Sequence, residues 1–119
     1  MNKKIIQGEC LCRAIQFQLV DDFKYAFYCH CSLCRKRTGS AFAAIGGIES
    51  EKIMVTQGET LIFKEGETTD GYRAICSKCF VPLFSVLMDR KRTHVNLGSL
   101  INETSRKPDH HIYVASKAT

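Results

Sequence analysis

The sequence predicts a mainly β protein of short antiparallel strands in small sheets, and three observations support this. No segment keeps apolar residues at the 3.6-residue spacing of a long amphipathic helix. Several runs of five or six residues alternate apolar with polar side chains, or are rich in β-branched and aromatic residues. Glycines, acidic pairs and polar turns separate these runs. With 119 residues, the chain (1–119) is expected to form a single domain with a small core.

The first half of the chain contains three predicted strands and one helical turn. Gly8-Glu9 is interpreted as a turn that leads from an apolar start into Cys10 and Cys12. Gly39 is expected to end the helical turn, and Gly46-Gly47 indicates a bulge or a close backbone approach within a strand. The predicted strands are residues 14–19, 25–28 and 41–48, and the helical turn is residues 32–37.

The second half predicts strands alone. Residues 52–56 and 60–64 flank the polar stretch Gln57-Gly58-Glu59, a pattern typical of a β-hairpin. The polar residues 65–71 form an exposed turn before the next strand. The remaining predicted strands are residues 71–75, 82–88, 93–97 and 111–115.

Seven cysteines fall into three groups whose spacings are those of metal ligands. Sulfurs as close as those of a C-x-C pair cannot form an unstrained disulfide, but they can converge on one ion. Small buried apolar cysteines would account for one or two of the seven, not for three spaced groups. The groups are C-x-C (Cys10, Cys12), C-x-C-x-x-C (Cys29, Cys31, Cys34) and C-x-x-C (Cys76, Cys79).

Two partitions of these cysteines are open. The economical one joins the first and last pairs around one structural ion, which would clamp two strands that are distant in sequence. The central three then hold a second ion with one free position. In the other partition, Cys76 and Cys79 complete the central cluster and the first pair stays free. His30 lies between two ligands and is expected to point outward, and the remote His94, His110 and His111 are candidates for the fourth position.

A zinc ion on three thiolates is a weak Lewis acid for water, yet it ionises a bound thiol. The central cluster therefore favours activation of a thiol toward an electrophile such as an aldehyde. Arg35 and Arg37 follow the cluster directly, and they are expected to balance its negative charge and hold a carboxylate of the thiol's carrier.

Charge and composition narrow the classes of partner. The formal net charge is +5, but seven thiolates on two divalent ions would reduce it to +2. The two basic triplets, residues 35–37 and 90–92, are short enough to be solvated turns, so a nucleic-acid partner is disfavoured. No apolar stretch reaches the roughly 20 residues of a membrane span. Cysteine-rich metal spacings and the lack of a signal core predict a cytoplasmic protein, and the oligomeric state is left open.

Five motifs together resemble the glutathione-dependent formaldehyde-activating enzyme family, which also includes a centromere-associated protein of animals. The resemblance covers nearly the whole chain. The motifs are C-L-C at residues 10–12, C-H-C-S-L-C-R-K-R-T-G-S-A-F at 29–42, C-S-K-C at 76–79, L-G-S-L at 97–100 and H-I-Y-V-A-S-K at 111–117.

The resemblance implies an Mss4-like fold with two zinc ions, a structural one on Cys10, Cys12, Cys76 and Cys79 and a catalytic one on Cys29, Cys31 and Cys34. It also implies formation of S-hydroxymethylglutathione from glutathione and formaldehyde, a carbon–sulfur lyase activity. Phe80 stands where the family usually has glycine and could distort the turn, and Ile101-Asn102 replaces a common aspartate. The competing hypothesis is a non-catalytic module that binds a protein, marked by a fourth protein ligand on the central ion.

Overall fold

The computed structural model describes residues 3–119, and it is dominated by strands. The single α-helix within this range, α1 (Ser32–Thr38), lies between the third and fourth strands. The strands are β1 (Ile5–Glu9), β2 (Gln16–Val20), β3 (Tyr25–Cys29), β4 (Ala43–Glu49), β5 (Ile53–Gln57), β6 (Ile62–Glu65), β7 (Tyr72–Cys76), β8 (Pro82–Leu87), β9 (Arg92–Asn96) and β10 (His111–Ile112). The predicted mainly β class is confirmed.

The strands form two sheets. The small sheet has the order β1-β2-β5, and the large sheet has the order β10-β3-β4-β9-β8-β7-β6. Every pairing is antiparallel except that of β10, which runs parallel to β3 at the edge of the large sheet. The 3₁₀ turn Leu97–Ser99 follows β9, and a bridge from Leu100 to Gly8 then brings the chain back to the small sheet.

The core lies between the two sheets, because each contributes one apolar face. Phe17 of β2 meets Phe84 of β8 edge to face, with ring centroids 5.7 Å apart. Ile6, Leu19 and Val95 are almost completely buried beside them. The period-two alternation in β2, where Phe17 and Leu19 point inward, is the signal that predicted this strand.

Two local predictions are wrong, and the strand predicted at residues 111–115 is limited to His111–Ile112, with a 3₁₀ turn at Val114–Ser116 after it. Gly8 and Glu9 lie within β1 rather than in a turn, and a side chain at Gly8 would collide with the ring of Phe17. The hairpin predicted around Gly58 does not form, since β5 pairs with β2 in the small sheet and β6 pairs with β7 in the large one. Gly58 has φ +78°, and the 3₁₀ turn Glu59–Leu61 that follows carries the chain from one sheet to the other.

The close approach predicted at Gly46-Gly47 is confirmed. A Cβ at Gly47 would lie 2.2 Å from the ring of Tyr25, and one at Gly46 would lie 2.7 Å from the ring of Phe23. Both aromatic rings can therefore lie flat against β4. No helix within residues 3–119 is long and apolar enough to cross a membrane.

Candidate metal centres

The first cluster joins the two cysteine pairs that are farthest apart in sequence. The sulfurs of Cys10, Cys12, Cys76 and Cys79 all lie within 4.8 Å of one another. Cys10 follows β1 directly, and Cys76 is the last residue of β7, so the cluster ties the small sheet to the large one. The partition that joins the first and last pairs therefore matches the geometry, and the alternative that leaves the first pair free does not.

Each pair sits in a tight turn of the same design. The backbone N–H of Ile15 donates to the sulfur of Cys10 at 3.4 Å, and the N–H groups of Lys78 and Cys79 donate to that of Cys76 at 3.4 Å. Arg13 and Phe80 occupy the left-handed region in their respective turns, with φ of 65° and 63°. Phe80 donates its N–H to the Cys76 carbonyl at 2.8 Å, so the expected distortion does not occur.

The sulfur positions fit a tetrahedral metal ion. Zinc–sulfur bonds of about 2.3 Å place the sulfurs of such an ion about 3.8 Å apart. The Sγ–Sγ distance is 3.6 Å between Cys10 and Cys12 and 3.8 Å between Cys12 and Cys76. The backbone N–H groups around Cys10 and Cys76 offset the charge of thiolates, which suits a site where every ligand is ionised.

The thiols of this cluster differ in acidity. A backbone hydrogen bond near Ala14 lowers the pKa of Cys12, but burial and the sulfurs of Cys10, Cys76 and Cys79 raise it to about 11. Burial raises the pKa of Cys79, but backbone hydrogen bonds at Cys12 and Val81 and the sulfur of Cys76 lower it to about 6. Thiolates this close repel one another, and a divalent cation at their centre lets all four ionise.

The second cluster is built where β3 passes into α1. Cys29 is the last residue of β3, Cys31 is the N-cap of α1, and Cys34 lies in the helix. The sulfur of Cys34 lies 3.1 Å from that of Cys29, and the backbone N–H of Cys34 donates to the sulfur of Cys31 at 3.2 Å. All three sulfurs are within 4.8 Å of one another, so this cluster could also hold a metal ion.

Burial and neighbouring sulfurs separate the acidities of this cluster as well. Burial raises the pKa of Cys31, but hydrogen bonds from the side chain and backbone of Cys34 lower it below its usual range. Burial and the sulfurs of Cys31 and Cys29 raise the pKa of Cys34. Cys31 thus ionises more readily than Cys34, which needs a cation beside it to ionise at neutral pH.

No fourth Cys, His, Asp or Glu joins these three sulfurs within residues 3–119. The three remote histidines are engaged elsewhere. His94 bonds to the Tyr25 hydroxyl at 2.8 Å, His110 bonds to Asp109 at 2.5 Å, and His111 lies 2.8 Å from His30. The ring of His30 also packs 5.2 Å from that of Phe42. The fourth position expected on the central ion is therefore left to a group that is not one of these side chains.

The three cysteines open into a cleft of about 510 Å³ along the large sheet. Arg37 lines this cleft, while Arg35 and His30 do not. Arg35 has a buried Nε that no side chain or backbone group within residues 3–119 accepts from. Sequence reasoning missed the far wall of the cleft, which includes Ser85 and Arg73. The period-two alternation of a strand predicts which face of the sheet these side chains lie on. The strand order that places them near the cysteines is not visible in the sequence.

A larger groove of about 710 Å³ lies beside Cys10 and contains none of the central cysteines. Its lining includes Leu11, Phe42 and Ile101, whose side chains are partly or largely exposed. Volume alone would favour this groove as a ligand site. The smaller cleft is the better candidate, because it holds three convergent thiols and a cationic side chain.

Comparison with known proteins agrees with this geometry. The family model for glutathione-dependent formaldehyde-activating enzyme matches residues 5–116. The chain belongs to this family. The matched range contains both cysteine clusters and the turn that carries Phe80.

Two relatives extend the comparison. A protein of Halomonas elongata, provisionally named glutathione-dependent formaldehyde-activating enzyme, is 35% identical over 81 residues, or 63% of this chain. The match covers 52% of that protein, so the chain spans about half the length of this curated relative. The crystal structure of a Rhodobacter sphaeroides protein has a TM-score of 0.62 and 24% identity, covering 83% of this chain and 91% of the other. That likeness supports the fold.

The departure from the family pattern at Ile101-Asn102 lies at the edge of the small sheet. The Ile101 N–H donates to the Gln7 carbonyl at 2.8 Å, and the Asn102 side-chain oxygen accepts from the Gln7 N–H at 2.8 Å. These two bonds extend the pairing of β1 by one short segment. Neither residue lines the cleft beside the central cysteines.

Proposed function

We propose that the protein is a zinc-dependent, thiol-activating enzyme that joins glutathione to formaldehyde to give S-(hydroxymethyl)glutathione, an activity of the carbon–sulfur lyase class. The observation that carries this proposal is the central cluster. It offers three sulfurs and, within residues 3–119, no fourth Cys, His, Asp or Glu ligand, and it opens into a cleft that is large enough for a small peptide. The substrates would be a small-molecule thiol and an aldehyde, and the setting would be cytoplasmic.

Two zinc ions are part of the proposal. A structural zinc would be held by Cys10, Cys12, Cys76 and Cys79, and a catalytic zinc by Cys29, Cys31 and Cys34. Zinc at the second site would lower the pKa of a coordinated thiol enough to keep that thiol ionised at neutral pH. The donor set supports this choice, because sulfur-rich tetrahedral sites select zinc among the common divalent metals.

The chain's own residues would bind and orient the thiol. Arg37 lines the cleft and would attract a carboxylate of the carrier, whereas Arg35 lies outside the cleft and would balance the negative charge of the sulfurs. His30 lies outside the cleft and bonds to His111 at 2.8 Å, so it would contact only a ligand that extends beyond the cleft. In the reaction, a sulfur lone pair forms the C–S bond, the carbonyl electron pair moves to oxygen, and solvent provides the proton that completes the hydroxymethyl group.

The rival hypothesis, a non-catalytic module that binds a protein, expected a fourth protein ligand at the central cluster. Residues 3–119 contribute no such Cys, His, Asp or Glu. The exposed side chains of Leu11 and Phe80, in the turns of the other cluster, are the surface that a protein-binding module would use. The three sulfurs and the Arg37 side chain that line the cleft favour the enzyme hypothesis over the protein-binding module.

The two hypotheses differ most in the ligand they predict, so we expect binding to depend on the thiol. Calorimetry of the metal-loaded protein should give much tighter binding for glutathione than for S-methylglutathione, which has the same charge but no ionisable sulfur. Binding should also weaken between 0.05 and 0.5 M salt, since exposed charges are screened over about 10 Å at 0.1 M. Equal binding of the two ligands would show that the metal is not the anchor. Binding of neither would favour the module.

A further inference from the structure

A row of five residues crosses the large sheet on the face that carries Cys29. The pairings Tyr25–Gly47, Gly47–His94, His94–Ser85 and Ser85–Arg73 place these residues side by side on β3, β4, β9, β8 and β7. Paired residues point to the same side of a sheet. Three members of the row, His94, Ser85 and Arg73, line the same cleft as the central cysteines.

The imidazole of His94 is fixed in place by its neighbours. Because Gly47 has no side chain, the Tyr25 ring lies against the sheet, and its hydroxyl comes within 2.8 Å of the His94 Nε2. The rings of Tyr25 and Phe27 meet the imidazole edge to face, with centroids 5.6 and 5.7 Å away. This arrangement leaves the imidazole little freedom to rotate.

The protonation of this imidazole follows from its surroundings. Burial, aided by the positive charge of Arg92, lowers the pKa of His94. The ring is therefore neutral near pH 7, with one N–H and one lone pair. A phenol is a better donor than acceptor toward an imidazole nitrogen, so the Tyr25 hydroxyl donates to Nε2 and the proton resides on Nδ1. Tyr25 is the one side-chain hydrogen-bond partner of His94 within residues 3–119, so Nδ1 has no side-chain partner there, and His94 itself lines the cleft.

We propose that His94, positioned by Tyr25, donates a hydrogen bond from Nδ1 to an amide or carboxylate oxygen on the carrier of the thiol. His94 is then a specificity-determining residue that favours peptide-like thiols over small ones. The inference rests on the proposed function, because the three cysteines place the sulfur and His94 reads the remainder of the molecule.

The spacing within the sheet agrees with a peptide-sized ligand. Tyr25 precedes Cys29 by four residues on β3, which corresponds to about 13 Å at 3.3 Å per residue. A two-carbon thiol whose sulfur is at the cysteines cannot reach this row. His94 also lies two strands away from β3 across the sheet. The thiol of glutathione is on its central residue, so each arm reaches only part of the roughly 10 Å that an extended tripeptide spans, and the side chains of Cys29 and His94 must cover the remainder. Ser85 and Arg73 continue the row beyond His94; the Ser85 hydroxyl offers a further polar contact to the ligand, whereas the Arg73 guanidinium is ion-paired with Glu65.

The test compares two thiols on the metal-loaded protein by calorimetry. Glutathione has the carrier, and 2-mercaptoethanol does not. His94→Phe keeps an aromatic ring among Tyr25 and Phe27 but removes the donor, so glutathione should bind about tenfold more weakly while 2-mercaptoethanol binding is unchanged. His94→Gln retains an N–H and should recover part of the loss. Tyr25→Phe should weaken glutathione binding about threefold, because the imidazole loses the bond that fixes its tautomer.

His110→Phe is the matched control, since His110 is exposed and does not line the cleft. It should bind both thiols as the unchanged protein does. Zinc content and far-UV circular dichroism identify any variant that fails to fold. If His94→Phe fails to fold, the more conservative His94→Gln and Tyr25→Phe test whether His94 contributes to glutathione binding. If the His94 variants weakened binding of both thiols equally, or left both affinities unchanged, the role assigned to His94 would be overturned and the proposed function would stand. Failure of the unchanged protein to bind either thiol would overturn the proposed function with it.

Discussion

Phe80 shows how much one residue's backbone conformation contributes to the first cluster. It has φ 63° and an exposed side chain, yet its N–H closes the turn around Cys76. The left-handed region costs a residue with a Cβ about 1 kcal/mol or more, and glycine enters it freely. The turn that carries Cys76 and Cys79 thus keeps its geometry despite local backbone strain.

Phe80→Gly should therefore raise the free energy of unfolding of the metal-loaded protein by about 1 kcal/mol, because it relieves this strain and removes few buried contacts. Urea unfolding at fixed zinc concentration measures the change. Lys78→Gly is the matched control in the same turn, where φ is not positive, and it should lower stability. If both variants lost the same amount of stability, the exposed Phe80 side chain would itself contribute to the stability of the fold.

At the scale of elements, the passage from β3 to α1 was predictable and the pairing of β5 was not. The pattern C-x-C-x-x-C followed by Gly39 fixes a strand end, a cap and a short helix through local rules, and Gly39 indeed ends α1 at φ 66°. The choice of partner for β5 depends on covering the core beneath the small sheet, where Ile53 and Val55 pack. A short polar loop looks the same in sequence whether its strands pair with each other or with distant ones.

The two clusters should respond differently to loss of one sulfur. Cys76 is fully buried at the end of β7 and helps to hold β1 and β7 together, so Cys76→Ser should cost several kcal/mol of stability and much of the soluble yield. Cys34 lies on the short helix beside the cleft, so Cys34→Ser should remain folded but lose thiol binding. Thermal unfolding and calorimetry with glutathione check both. If the two variants behave alike, the division into structural and catalytic sites is wrong.

At the scale of the whole molecule, the apolar core and the first cluster hold the same elements together. The core lies between the sheets, and the cluster connects the loop after β1 to the end of β7 across 64 residues of sequence. Ligand spacing favoured this connection as the more economical of two partitions, and the positions of the four sulfurs decide between the two. The sequence could not predict the cleft, which requires β9, β8 and β7 to follow β4 in that order within one sheet. The single-domain organisation stays a prediction.

The last prediction follows from the unequal surroundings of the two clusters. Four sulfurs anchored on two sheets should hold zinc more tightly than three sulfurs with an exchangeable partner, since the fourth bond and the rigid support both slow release. Mild chelation should then remove one equivalent of zinc, abolish glutathione binding and leave the circular dichroism spectrum unchanged. A stronger chelator should remove the second equivalent and unfold the protein, because the link between β1 and β7 is lost with the ion. Zinc release measured with a colorimetric indicator, in parallel with circular dichroism, follows both steps. Loss of both ions in one step together with the fold would contradict the assignment of separate structural and catalytic roles.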